Sequence, residues 1–137
     1  YDFPLKDGKI KTKGSPVHHM KVRITINEKL EILYAEAITI HGPYEICPKG
    51  ADNIYGLVGL KIGPGWKHRV KVAIGGKKGC THITELMGPI ATTAFQTLYG
   101  EKSREKRAIQ KEFEEKEVDT DLPSLTNTCI AYSDKKH

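Results

Sequence analysis

Ile83, Leu86, Met87, Ile90, Ala91, Ala94, Phe95 and Leu98 recur at the i, i+3, i+4, i+7 spacing of one helical face. An apolar stripe this long has to be covered by other elements, so it constrains the rest of the chain. It predicts a helix over residues 82–98, with Gly100 placed to end it. Pro89 removes one backbone hydrogen bond inside that span and predicts a bend near its middle.

The cover is expected from strands. In VHHMKVRITI, Val22, Ile24 and Ile26 alternate with Lys21, Arg23 and Thr25, and LEILYAEAITI continues after the short turn Asn27-Glu28-Lys29. Period-2 alternation of β-branched residues around a short turn predicts a β-hairpin. HRVKVAIGG alternates Val70, Val72 and Ile74 and predicts a third strand over residues 68–74. Between them, ADNIYGLVGL predicts a short helix over residues 51–60, weakened by Gly56 and Gly59. The expected fold is therefore α+β: a small antiparallel sheet, hairpin plus third strand, packed against the long helix of the C-terminal half. Residues 1–16 read as an irregular arm with room for a short strand, and SREKRAIQKEFEEKE as a charged peripheral helix over 103–117. The tail carries a short strand at 128–132. A chain of 137 residues is expected to form a single domain, with 101–137 as its charged helix and tail.

Charge and cysteine usage bear on function. Lys and Arg total 22 against 17 Asp and Glu, a net charge of +5. Residues 101–121 hold six basic and eight acidic side chains, so the positive excess lies elsewhere, as isolated lysines. Neither an aromatic RNP pattern nor a paired-Cys finger accompanies them, and no specific nucleic-acid partner is expected. No apolar run approaches membrane-spanning length, so no membrane partner is expected either. Three cysteines without regular spacing point to a reducing, cytoplasmic setting rather than a disulfide framework. The chain opens YDFPLKDG, without Met, as expected of a processed product or a piece of a longer one.

The chemistry centres on GGKKGCTHITEL. Cys80 follows a Gly-rich turn and precedes the helix, where partial positive charge and free backbone N–H groups favour a thiolate or a developing oxyanion. His82 is two residues on. On a regular helix i and i+2 diverge, whereas in an extended segment they point the same way. A joint role for the two therefore needs Cys80 to lie before the helix proper. Glu85, three residues after His82, is within reach to orient its ring. The alternative is plain: Cys80 as a small buried residue and His82 as an exposed first-turn residue. His18 and His19 open the first strand on opposite faces, so one of them at most points at a given site. Cys47 lies in the loop YEICPKG; His41 and His68 read as polar loop residues, and Cys129 has no companion.

YDFPL, SPVHHM, YEICP, YGLVGLKIGPGW, GCTHITEL and ATTAFQT together resemble a family of uncharacterised bacterial domains, over residues 1 to about 98. The resemblance singles out His18, Cys47, Cys80 and His82, and implies a natural chain extending before Tyr1. Relatives carry an acidic residue after the strand His, where this chain has His19. In architecture the chain also resembles the NifU/IscU-type iron–sulfur scaffolds, with Cys47 in a loop after a strand and Cys80 at a helix start. Their CGD segment has no counterpart, and His18 or His19 would stand in for it.

Three functions follow. In the first, His18, Cys47, Cys80 and His82 hold zinc or iron, including an iron–sulfur cluster; mixed Cys and His ligation suits either metal. In the second, a metal-free enzyme uses Cys80 as nucleophile, His82 or His18 as base and Glu85 as the orienting acid. In the third, the pocket binds a small-molecule ligand without catalysis. Metal binding is the leading expectation.

Overall fold

A computed structural model of the chain describes residues 1–5, 7–112 and 125–133. It divides into two compact units, Tyr1–Phe95 and Gln96–His137. The first begins with a two-stranded antiparallel sheet, β1 (Phe3–Pro4) paired with β2 (Ile10–Lys11). A longer hairpin follows, β3 (His19–Ile26) against β4 (Ile32–His41). A 3-10 helix spans Cys47–Leu57, α1 spans Trp66–Ile74, and α2 spans Thr81–Glu112. The fold is α+β.

The hairpin is the expected one, and its turn is held by a side chain. Asn27 Oδ1 accepts from the backbone N–H of Lys29 at 2.9 Å and of Glu31 at 3.0 Å, and Leu30 takes the left-handed conformation, φ 63°. An Asn that mimics a turn in this way nucleates the reversal locally. Burial alternates strictly along β3, so Met20, Val22, Ile24 and Ile26 face the core. The register skips Leu33 and Ile40 on β4, which leaves both on the solvent side, 57% and 40% exposed.

The stretch expected as a third strand is helix α1. Its β-branched alternation competes with a second pattern, Trp66, Val70 and Ile74 at i, i+4 and i+8. These three are buried, while Val72 is 56% exposed. The helical seam wins because Trp66 belongs to it rather than to the preceding turn. Gly65, at φ 77°, sets the entry, and the Arg69 guanidinium donates to the carbonyls of Pro64 and Lys61, both at 2.8 Å. Trp66 Nε1 then donates to the Met87 carbonyl at 2.8 Å and ties α1 to α2. The third neighbour of the hairpin is residues 59–62: Ile32 N–H donates to Leu60 O, Gly59 N–H to Ile32 O, and Ile62 N–H to Leu30 O, each within 2.9 Å.

The expected helix over 51–60 is instead the 3-10 helix. Ala51, Ile54 and Leu57 are its buried residues, three apart, which is the period of a 3-10 rather than an α-helix. The opposite expectation failed at Gly100. α2 continues through Pro89 and Gly100, because the Lys-, Glu- and Arg-rich residues that follow are strong helix formers and outweigh one glycine. The separate charged helix expected over 103–117 is thus the continuation of α2 as far as Glu112, and 113–117 lie outside the described residues. The strand expected at 128–132 is a local turn. Thr128 N–H donates to Leu125 O at 3.1 Å, Asn127 sits at φ 60°, and Ile130–Tyr132 form a single 3-10 turn.

The core of the first unit joins β4, the 3-10 helix, α1 and the start of α2. Ile32, Leu57, Val70, Ile83 and Met87 are its most buried large side chains, and Ile90, Ala91 and Ala94 pack against it. Met87→Ala removes a side chain 1% exposed and is expected to cost about 2–5 kcal/mol in chemical denaturation. Leu86→Ala, at a residue 38% exposed on the adjacent position, is expected to cost about 1 kcal/mol or less.

Candidate functional site

Cys80 lies immediately before α2. Its carbonyl accepts the first helical bond, from Thr84 N–H at 2.9 Å, and its own N–H donates to the Gly50 carbonyl at 3.1 Å. It is therefore the residue that caps the helix, outside the helix proper. This is the condition under which Cys80 and His82 can share a side. Cys80 Sγ lies 3.7 Å from His82 Nδ1. The His82 ring in turn rests on that of His18, with centroids 4.0 Å apart and planes tilted by 35°.

The close approach of Cys80 to the 3-10 helix depends on glycine. A Cβ at position 50 would lie 2.8 Å from Cys80 Cβ and 3.2 Å from its backbone nitrogen. A Cβ at position 79 would strike the Ile74 carbonyl. One face of the 3-10 helix, at every third residue, follows the chain from α1 to α2. Gly56 lies against Ala73 and Ile74, Asn53 Nδ2 donates to the Lys78 carbonyl at 2.5 Å, and Gly50 lies against Cys80.

Cys47 belongs to the same face. It also lies against Gly42, where a Cβ would come within 3.0 Å of the Cys47 sulfur. Gly42 follows His41, which pairs with His19 across the hairpin, their rings stacked at 5.9 Å. His19 is the chain neighbour of His18. The contacts thus close a circuit: His18, His82, Cys80, Gly50, Cys47, Gly42, and back through the His19–His41 pair. Of the four residues singled out from the sequence, Cys47 packs against Gly42. Direct side-chain contact joins three of them in a row, Cys80 to His82 to His18. Among the described residues, no group of three or more His, Cys, Asp and Glu is spaced to hold a metal ion.

Glu85 lies elsewhere. It lines a groove of about 380 Å3 between α1 and α2 with Trp66, Lys67, Lys71, Thr81 and Gly88. No hydrogen bond joins it to His82; the nitrogen of His82 that has a partner faces Cys80. Sequence reasoning missed Gly42 and Gly50, whose contacts are tertiary and carry no local signature. It also missed Thr39, whose buried Oγ1 has no hydrogen-bond partner and whose methyl lies beside Gly42.

Partial desolvation of the His18 imidazole, with the neighbouring charges of His82 and Lys11, holds its pKa below the ordinary histidine value. His18 accordingly stays neutral at neutral pH. His82 and His18 are both exposed, and Cys80 and Cys47 are half-buried, so the patch is open to solvent.

The chain belongs to a family described as Protein of unknown function (DUF2889), whose profile matches residues 1–96. His18, Cys47, Cys80 and His82 all fall inside that match. No curated protein and no solved structure matches the chain. The architecture expected alongside the NifU/IscU-type likeness included a third strand over residues 68–74, and these residues lie in α1. Among the described residues, no helix is long and apolar enough to cross a membrane.

Two outcomes are expected. Gly50→Ala places a methyl group against the Cys80 backbone and should lower stability by about 1–3 kcal/mol, read by denaturation. In a histidine NMR titration, His18 should show a midpoint below the ordinary value, and His82→Gln should raise it part of the way, leaving the effects of partial desolvation and Lys11. The folded chain binds this proton more weakly than the unfolded one. The stability linked to His18 is therefore complete above the ordinary histidine pKa and declines as the pH falls through it.

Proposed function

We propose that the patch is a reactive-thiol site, with Cys80 as nucleophile and His82 as its base. The observation that supports this reading is the 3.7 Å separation of Cys80 Sγ and His82 Nδ1. A thiol and an imidazole in this relation form the minimal nucleophile–base pair. As the sulfur attacks an electrophilic atom, its proton passes to Nδ1, and the imidazolium carries the charge. His18 fits this role as a packing partner: a neutral ring resting on His82 supports its orientation without opposing that charge. The first turn of α2 follows Cys80 directly, and the free N–H groups of a helix's first turn suit an oxyanion or other developing negative charge. The chemistry is covalent transfer or modification at sulfur, on a small electrophile able to reach a half-buried thiol.

A second reading, zinc or iron binding, draws on the same distance. Two ligands on one tetrahedral ion, a sulfur at about 2.3 Å and a nitrogen at about 2.0 Å, stand roughly 3.5 Å apart. Cys80 and His82 would supply the first two ligands, with His18 and Cys47 on the rim of the patch.

The two readings separate in one preparation purified without a histidine tag. Alkylation by iodoacetamide at neutral pH, followed by peptide mass, should label Cys80 faster than an unperturbed thiol, and His82→Ala should slow that labelling about tenfold or more. Labelling of Cys80 at the rate of a free thiol would remove the main support for the nucleophile. Metal content near one ion per chain, lost together with Cys80→Ser, would favour the second reading.

A further inference from the structure

A thiol and its base do not account for the cation that the fold brings to this patch. Lys11 ends β2 and is half-buried, and its Nζ donates to the Pro16 carbonyl at 2.7 Å. That bond anchors the ammonium to backbone two residues before His18. Its charge is felt there: after desolvation, the causes that hold the His18 pKa down are the charges of His82 and Lys11, with no carboxylate among them. His18 rests on His82, and His82 Nδ1 lies 3.7 Å from the Cys80 sulfur. An anchored cation is therefore within electrostatic reach of the ring that supports the base.

Lys11 also has capacity to spare. The ion pairs among the described residues join Lys9 to Asp7, Lys9 to Glu45 and Arg23 to Glu36, and none takes Lys11. An ammonium carries three donors, and the Pro16 carbonyl occupies one. When Cys80 gives its proton to His82, the imidazolium adds a second positive charge beside the first. The start of α2 contributes partial charge of the same sign. A cationic substrate would meet repulsion that grows as the reaction proceeds, whereas a negative group on the substrate balances both charges.

We infer that Cys80 reacts with electrophiles that carry an anionic group, a carboxylate or a phosphate, and that Lys11 recognises that group. This rests on the reactive-thiol reading of Cys80 and adds the substrate class to it.

The test uses the whole chain and two probes, iodoacetate and iodoacetamide, which share a reacting carbon and a leaving group and differ in charge. With either, the Cys80 sulfur bonds to the CH2 carbon, the C–I bond breaks, iodide departs with its electron pair, and the thiol proton passes to His82. Labelling is followed by mass on the tryptic peptide of residues 79–102, which contains Cys80 and no other cysteine. The same chain unfolded in urea supplies the reference for Cys80 without its folded surroundings. At low salt the iodoacetate-to-iodoacetamide rate ratio of folded Cys80 should exceed the reference by about threefold or more. It should fall toward the reference in about 0.5 M potassium chloride. Lys11→Gln should lower the ratio at low salt, and Lys11→Arg, which retains the charge, should keep it. Fast labelling by iodoacetamide with a ratio equal to the reference overturns the anionic preference and leaves the nucleophile standing. A raised ratio that Lys11→Gln does not lower overturns the role of Lys11. Iodoacetamide labelling no faster than in the unfolded chain overturns the reactive thiol itself, and the inference with it.

Discussion

The contact between Gly50 and Cys80 joins the 3-10 helix to the start of α2. A single backbone hydrogen bond of 3.1 Å and the absence of a side chain at position 50 let the 3-10 helix touch the residue that starts α2. From that point the geometry propagates both ways. Toward the C-terminus, Cys80 caps α2 and fixes the direction in which His82 leaves the helix. Toward the N-terminus, the face of the 3-10 helix carries Cys47 to Gly42 and so to the end of the hairpin. A larger residue at position 50 would separate these elements by the width of a methyl group. Close-packed interiors transmit such a change rather than absorb it.

What the sequence disclosed depended on whether one pattern was present or two. The hairpin was legible because its alternation is unambiguous and Asn27 supplies a turn of its own. The apolar stripe of α2 was legible for the same reason. Residues 68–74 carry two patterns at once, Val70/Val72/Ile74 at period two and Trp66/Val70/Ile74 at helical period, and only burial distinguishes them. The helical one prevails because the indole of Trp66 finds a buried acceptor at Met87 O. The helix end at Gly100 was misjudged because a glycine signal is local, whereas the charged residues that follow it act together.

At the site, sequence reasoning identified the residue types and could not supply their geometry. Cys80 and His82 are informative only if Cys80 precedes the helix, and that is decided by the Thr84 bond to the Cys80 carbonyl and by Gly50. His18 reaches His82 through tertiary packing across the whole first unit, which no spacing in the chain encodes. Glu85 illustrates the converse. Its spacing from His82 is helical and its side chain lies along the α1–α2 groove. Gly42, Gly50 and Thr39 carry no chemical signature in the sequence, and their part in the patch emerges only from contacts.

The circuit of contacts around the patch has a consequence for the life of the chain before it is folded. His18 comes from the hairpin, Cys47 from the 3-10 helix, and Cys80 and His82 from the junction with α2. Loops of this length close late and close together, since each long-range contact becomes favourable only when its neighbours form. A partly folded chain therefore carries three ordinary thiols and no assembled patch. On the reactive-thiol proposal, the chemistry of Cys80 begins only when the first unit is complete, and its onset would be a timer for the arrival of the native state.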